Sequence, residues 1–287
     1  MEPIITNNKN NNDKVFFIIG ASSGIGLSVT KQFISAGYKI AATSRSKDNL
    51  LKVFNIHDES RFLALENDLL DDKKIKETID QVYQHFGRID VVFSNAGFGI
   101  AGVTEEISDE NLRSLFDINF FASASVLRHV TEYLVKGSHV FMVSSFGGFH
   151  PIPSNSAYNA TKFAMDGLSE SYAEEVEDLG IKVTIINSGS FASSFGSGMK
   201  PAARDLKEKY SAIYKKTHEL VNNLEYKDPT KFAEIVLEVT ESASKAPLHL
   251  FIGPDANNFA NIKIDRLVKE LKENELLTTQ RFLTPSV

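Results

Sequence analysis

From Lys14 onward the chain alternates between short runs that are apolar at every position and longer stretches in which apolar residues recur every three or four positions. The short runs read as strands buried on both faces and the longer stretches as amphipathic helices, the repeating unit of a parallel sheet with crossover helices. Seven strands are predicted, near residues 15–19, 38–43, 61–66, 89–93, 140–143, 182–186 and 248–252, with helices filling the intervals. Runs such as VFFII and VTII offer no polar face to water, so helices must cover the sheet on each side. The pattern therefore predicts an α/β, doubly wound fold, in which ligands bind at the carboxyl ends of the strands.

The polar and glycine punctuation falls at those ends. After the first strand come Gly20, Ala21, Ser22, Ser23, Gly24, Ile25 and Gly26, with a helix beginning near Gly24. Glycines there permit a tight turn and close approach of a pyrophosphate, whose charge is met by N–H groups at the helix N-terminus. A bare structural turn has the same composition, but its place at the start of the first crossover favours a nucleotide. The second strand ends at Thr43, Ser44, Arg45, Ser46 and Lys47, where an adenosine ribose should lie. An acid there suits NAD, whereas a basic side chain can pair with the 2′-phosphate of NADP. This strand offers Arg45 and no acid. Asp68, after the third strand, either accepts from the adenine amino group or caps the helix starting near Asp71. After the fourth strand Ser94, Asn95, Ala96, Gly97, Phe98 and Gly99 are mostly small enough for backbone to lie against a cofactor, or form an ordinary turn. Asn119 interrupts a helical stretch, 111–135, that is otherwise well patterned; a buried structural amide and a catalytic one are equally open.

One further set carries chemistry. Tyr158 and Lys162 are four apart in a helical segment and so emerge on one face, about one turn apart. Ser145 stands thirteen residues before Tyr158. A serine hydroxyl to hold a substrate oxygen, a phenol to exchange a proton with it and an ammonium to favour the phenolate would serve an alcohol or ketone. Taken alone, the pair also fits a solvated helix face.

Composition narrows the partners. The 287 residues carry 31 basic and 37 acidic side chains, a net charge of -6, without the basic run that nucleic acid or an anionic membrane would need. With no cysteine there is neither a disulfide nor a thiolate nucleophile, which suits a reducing compartment, and the seven histidines show no metal-ligand spacing. No signal core and no apolar stretch long enough to span a membrane are present, so a cytoplasmic protein with a small-molecule substrate is expected. Residues 1–13, rich in asparagine, read as a disordered tail, and 14–287 as a single dinucleotide-binding domain.

Together these motifs resemble the short-chain dehydrogenase/reductase family in its compact one-domain form, from Lys14 to about Ile252. IIGASSGIG stands for the family's Thr-Gly-x-x-x-Gly-x-Gly turn and SNAG for its Asn-Asn-Ala-Gly, followed by Asn119 and by Ser145, Tyr158 and Lys162. The resemblance implies a Rossmann sheet of seven strands in the order 3-2-1-4-5-6-7 and hydride transfer between NADP, or less readily NAD, and a carbonyl or carbinol carbon. It assigns Tyr158 as general acid or base, Lys162 to lower its pKa and bind the nicotinamide ribose, Ser145 rather than Ser144 to orient the substrate, and Asn119 to anchor a water linking Lys162 to solvent. Gly189 and Ser193 fall where the family contacts the cofactor, although Ser188-Gly189 replaces its Pro-Gly. Ile19 replaces the threonine that braces the glycine turn. The C-terminal part, APLHLFIGPDANNFANIKIDRLVKELKENELLT, is similar to reductases resembling 17β-hydroxysteroid dehydrogenases, which implies an apolar alcohol or carbonyl substrate beneath a lid at about 191–223. Phe191, Phe195 and Met199 would face it or pack the lid down, and Phe149 and His150 would line the pocket or sit in a loop. A homodimer or homotetramer joined through the helices near Asn119 and Tyr158 is implied as well. A cofactor-binding regulator with little turnover is the competing class.

Overall fold

A computed structural model of the chain describes residues 13–242, 246–280 and 282. Residues 1–12 of the expected tail lie outside it, and Asp13 places its carboxylate 3.3 Å from the Lys39 ammonium.

The seven expected strands all form: β1 (Val15–Ile19), β2 (Lys39–Ser44), β3 (Phe62–Glu66), β4 (Val91–Ser94), β5 (His139–Val143), β6 (Lys182–Ser188) and β7 (His249–Ile252). Counting only these, they pair in parallel in the order β3-β2-β1-β4-β5-β6-β7. The order reverses between β1 and β4, so the first crossovers run to one side and the later ones to the other, opening a crevice at the strand ends. Every residue of β1 and β5 is buried, as a run without a polar face requires.

The helices are α1 (Gly24–Ser35), α2 (Lys47–Phe54), α3 (Asp72–Phe86), α4 (Asp109–Phe116), α5 (Ala122–Val130), the single turn α6 (Phe146–Phe149), α7 (Ser156–Glu175), the single turn α8 (Ser194–Ser197), α9 (Ser211–Asn222), α10 (Pro229–Glu241) and α11 (Pro254–Glu275). One face of the sheet packs Phe16 and Ile18 against Val29 and Phe33 of α1 and Phe232 and Val236 of α10. The other packs Phe17, Val92 and Met142 against α3, α5 and α7 through Ile79, Val126 and Met165. Alternate strand residues thus feed two separate cores, and the sheet is held from both sides.

Two departures from the expected pattern bear on the site. The stretch 111–135 is not one helix: α4 and α5 are joined by a π-helical turn, Asp117–Phe121, which turns Asn119 inward and buries it completely. A π turn inserts one residue into the helical ladder and recurs at functional sites. Residues 191–223 are also more constructed than a plain helical flap. Lys200–Pro201 pairs in parallel with Ile100–Ala101, and the buried carboxylate of Glu106 accepts from Val103 N (2.9 Å), Leu206 N (2.6 Å) and the Tyr214 hydroxyl. The segment is thereby tied to the loop after β4.

Candidate active site

The turn after β1 is built for close approach. Gly20 and Gly24 take positive φ (89° and 54°), where a side chain is strained, and a Cβ on Gly26 would stand 2.0 Å from the Gly20 carbonyl oxygen. Gly20 N and Ala21 N both donate to Thr43 O (3.1 and 3.0 Å), and the Asn95 amide donates to Gly20 O (3.0 Å). Asn95 therefore supplies the brace that Ile19 cannot, and its side chain is spent on the turn. The N-cap of α1, Ser23, makes no side-chain capping bond, and the first turn carries no acid. Its N–H groups and helix dipole are left for an anion. These features fit the diphosphate of a dinucleotide.

From this turn a cavity of about 910 Å³ runs in both directions. At one end lie Ser44, Arg45, Asn67 and Asp68. The Arg45 side chain is exposed and makes no ion pair or hydrogen bond among the described residues. Ser44 spends its hydroxyl on Ser46, donating to its carbonyl (2.8 Å) and accepting from its N–H (3.1 Å), and its own carbonyl accepts from Asn67 N (2.9 Å). Asp68 accepts from Leu70 N (3.0 Å) and does not cap α3; Asp71 does, through Lys73 N and Lys74 N. Asn67 went unremarked in the sequence. It is buried, and neither its amide nitrogen nor its oxygen has a hydrogen-bond partner among the described residues. The only sequence signal was its place directly after a strand end, and buried amides left unpaired call for a ligand or water.

Ser193 reaches the glycine turn from the far side: a Cβ on Gly24 would lie 3.1 Å from its Cβ. Gly189 also lines the cavity but leans on Asp255, whose Oδ1 would be 2.2 Å from an added Cβ. A Cβ on Gly20 would stand 3.0 Å from the Ala96 backbone, and Gly97 sits over Asn119, with Lys162 Nζ 3.8 Å from where a Cβ would be.

At the other end the cavity meets Ser145, Tyr158 and Lys162. Asn119 clamps the loop after β4, accepting from Phe98 N (3.0 Å) and donating to Phe98 O (2.9 Å) and Thr161 Oγ1 (3.1 Å). Its side chain thus ties that loop to α7. Ser145 closes the N-terminus of α6, its hydroxyl accepting from Gly147 N (3.0 Å) while lying beside Tyr158. Ser144 turns the other way: a Cβ on Gly148 would be 2.5 Å from its hydroxyl and 3.1 Å from Asp166 Oδ2. Lys162 is buried, donating to Val143 O (2.9 Å), with its ammonium 5.9 Å from the centre of the Tyr158 ring.

The electrostatics correct one expectation. Burial pushes the Tyr158 phenol up to about 12, only partly offset by the Ser145 hydroxyl, and Lys162 is not among the groups that move it. Lys162 itself is brought down to about 8 by burial, against the pull of Asp166. Removing charged forms from water costs more here than the pair recovers from each other. Tyr158 is consequently a protonated phenol at neutral pH.

The substrate end is apolar. Phe195 lies 5.5 Å, ring to ring, from Tyr158, and Met199 packs against Gly99; both line the cavity with Phe98, Ile152 and Leu224. Phe191 contributes to the wall but is buried against Phe232. Phe149 and His150 do not reach it. The single turn of α6 points them under α7 and α11, where Phe149 meets Phe251 and His150 stacks on Phe259.

A family model described as short chain dehydrogenase matches residues 14–204, well over half of the chain. An oxidoreductase, BOA17, of Botryotinia fuckeliana is 31% identical over 251 residues, covering 86% of this chain and 91% of the relative. A 3-ketodihydrosphingosine reductase of Bacteroides thetaiotaomicron is 32% identical over 185 residues, 63% of this chain and 65% of its own. The crystal structure of a short-chain dehydrogenase from Streptomyces avermitilis superposes with a TM-score of 0.84 at 32% identity, over 92% of this chain and 97% of that one. Structures at 18–21% identity, which share the fold, hold NAD, NADH or NADPH. The chain belongs to the short-chain dehydrogenases, oxidoreductases that work with a nicotinamide cofactor on alcohol and carbonyl groups.

Proposed function

We propose that the protein is an NADP-dependent reductase of apolar ketones or aldehydes in which Tyr158 is the general acid. The observation that carries this reading is one cavity joining an exposed Arg45, unpaired among the described residues, to a protonated, buried Tyr158 beneath an apolar wall. The backbone from Gly20 through Gly26, with Ser22, Ser23 and Ile25, would hold the diphosphate at the head of α1, and Ser193 and Gly189 would close on it from the opposite side. Arg45 would take the 2′-phosphate in a charge-assisted pair. Asn67 and Asp68 would border the adenine, Ala96 and Gly97 would let backbone lie against the cofactor, and Lys162 would hold the nicotinamide ribose. The bound cofactor supplies the hydride.

The chain's own part is proton delivery and alignment. Tyr158 carries its proton at neutral pH and gives it to the oxygen of the carbonyl as negative charge develops there. Ser145, beside it, donates a hydrogen bond to the same oxygen, and its own acceptor role toward Gly147 N fixes where that hydroxyl stands. Asn119 holds the loop after β4 in place and with it the floor of the site. Phe98, Phe195 and Met199 exclude water and favour an apolar group beside the carbonyl, in keeping with a relative named for a 3-keto substrate.

The test is consumption of NADPH, and in parallel NADH, across a panel of hydrophobic ketones and aldehydes with the wild-type chain and Arg45→Ala. Turnover with NADPH is expected, and loss of the arginine should raise the KM for NADPH by roughly 10- to 100-fold, the size of a charged hydrogen bond, while leaving NADH unchanged. NADPH binding without turnover anywhere in the panel would make this a cofactor-binding module, and equal losses for the two cofactors would remove Arg45 from the 2′-phosphate.

A further inference from the structure

Further along the face of α7 that carries Tyr158 and Lys162 lies another ionisable side chain that the chemistry above does not use. Asp166 lies one turn past Lys162 and is 4% exposed. Its Oδ2 accepts from Asn187 Nδ2 (2.8 Å), the Ser144 hydroxyl lies beside the carboxylate, and its Oδ1 has no hydrogen-bond partner among the described residues. The same Asn187 nitrogen reaches the backbone carbonyl of Ser145 (3.3 Å). Both of these partners are acceptors, so the orientation of the Asn187 amide is fixed and its oxygen faces His249 Nδ1 (3.1 Å), which must donate. His249 Nε2 in turn lies 3.3 Å from Glu170 Oε1 at the surface. A file of polar side chains therefore runs from beneath the active-site lysine, through a fully buried asparagine, to an exposed carboxylate.

A buried carboxylate is retained only where something pairs with it. The charged or titratable groups facing Asp166 are Lys162 on its own helix, His249 on β7 and Lys263 on α11, with Tyr158 a further turn back on α7. Of these basic side chains Lys162 is the one buried with it; burial raises the Asp166 carboxyl, and the Ser144 and Asn187 side chains beside it favour the charged form. We propose that Asp166, held by Asn187, is a positioning residue for this site: it is the counter-charge of the Lys162 ammonium and, through Asn187, it fixes the backbone of Ser145, so that two of the reacting groups hang from one rigid polar unit. The assignment rests on the reading that Lys162 meets the cofactor.

The consequence has a sign. Asp166 raises the pKa of Lys162 and burial lowers it, to the net value of about 8. NADPH affinity should then weaken above about pH 8, where the ammonium is lost. Removing the carboxylate takes away the charge that opposes burial and moves that midpoint to lower pH.

Asp166→Asn, Asp166→Glu and Asn187→Ala are made in the full chain, and NADPH binding is followed by the fluorescence of the reduced nicotinamide from pH 6 to 10, a range of about two units on each side of the midpoint. Asp166→Asn should shift the midpoint down by about one unit and Asp166→Glu should restore it. Asn187→Ala deprives the carboxylate of its donor and should move it the same way, so it serves if Asp166→Asn does not fold. Unchanged midpoints in the folded variants, with only a lower melting temperature, would overturn the proposal and leave Asp166 a structural group. Retained turnover in Tyr158→Phe would instead defeat the acid–base reading without touching this shift, so the two failures are distinguishable.

Discussion

Around Gly20, Gly24 and Gly26 the cavity wall is backbone, set by strand neighbours at hydrogen-bond distance, whereas around Phe98, Phe195 and Met199 it is side chain, carried partly on a segment tied down by Glu106 and a two-residue strand pair. The backbone wall leaves no room for change: the nearest atom to an added methyl at Gly26 is another main-chain oxygen. The side-chain wall yields, because Met199 and the ring of Phe195 are flexible ends that can move aside. On the proposed reading the cofactor is met by fixed backbone and the substrate by side chains that can be exchanged.

Gly26→Ala is the sharpest way to break that contrast. Its Cβ would collide with Gly20 O at 2.0 Å and with Asn95 Nδ2 at 2.6 Å, and neither can withdraw without unpicking the turn. Overpacking of this kind costs about 1–3 kcal/mol, so NADPH affinity by fluorescence titration should fall roughly 5- to 150-fold, and the melting temperature with it. Phe195→Ala should do much less. The ring is 38% exposed, and losing it removes about 1 kcal/mol of apolar contact, a KM for hydrophobic ketones raised about fivefold with kcat nearly unchanged. If the two variants had similar effects on NADPH binding, the division between the two walls would be wrong.

What was legible in the sequence follows the same division. Buried parallel strands have no polar face, so VFFII or HVFMV reads as a strand at sight, and all seven strand positions were recovered to within two residues. The four-residue spacing of Tyr158 and Lys162 and the glycines after β1 were equally visible, since local geometry alone puts them at one strand end or on one helix face. Illegible were features that tertiary contact decides. The π turn at Asn119 lies within an unbroken helical pattern, and the Lys200–Pro201 strand is too short for any period. Phe149 and His150 were drawn toward the pocket by their place in the chain, but a single helical turn carries them under α11. Asp166 looks like one more polar position on a helix, and only packing against β6 and β7 shows it to be buried. The burial that raises the Tyr158 phenol was equally illegible, because spacing reveals adjacency but not burial.

The account turns on a phenol that keeps its proton until a carbonyl oxygen calls for it. Tyr158→Phe tests this most directly, with NADPH binding by fluorescence and single-turnover ketone reduction measured on the same preparation. Removal of one hydroxyl from a buried ring is expected to leave NADPH affinity within about twofold and to cut the rate of reduction by roughly 10²- to 10⁴-fold, the worth of a positioned general acid. A variant that binds NADPH as before and reduces the ketone at the wild-type rate would contradict it.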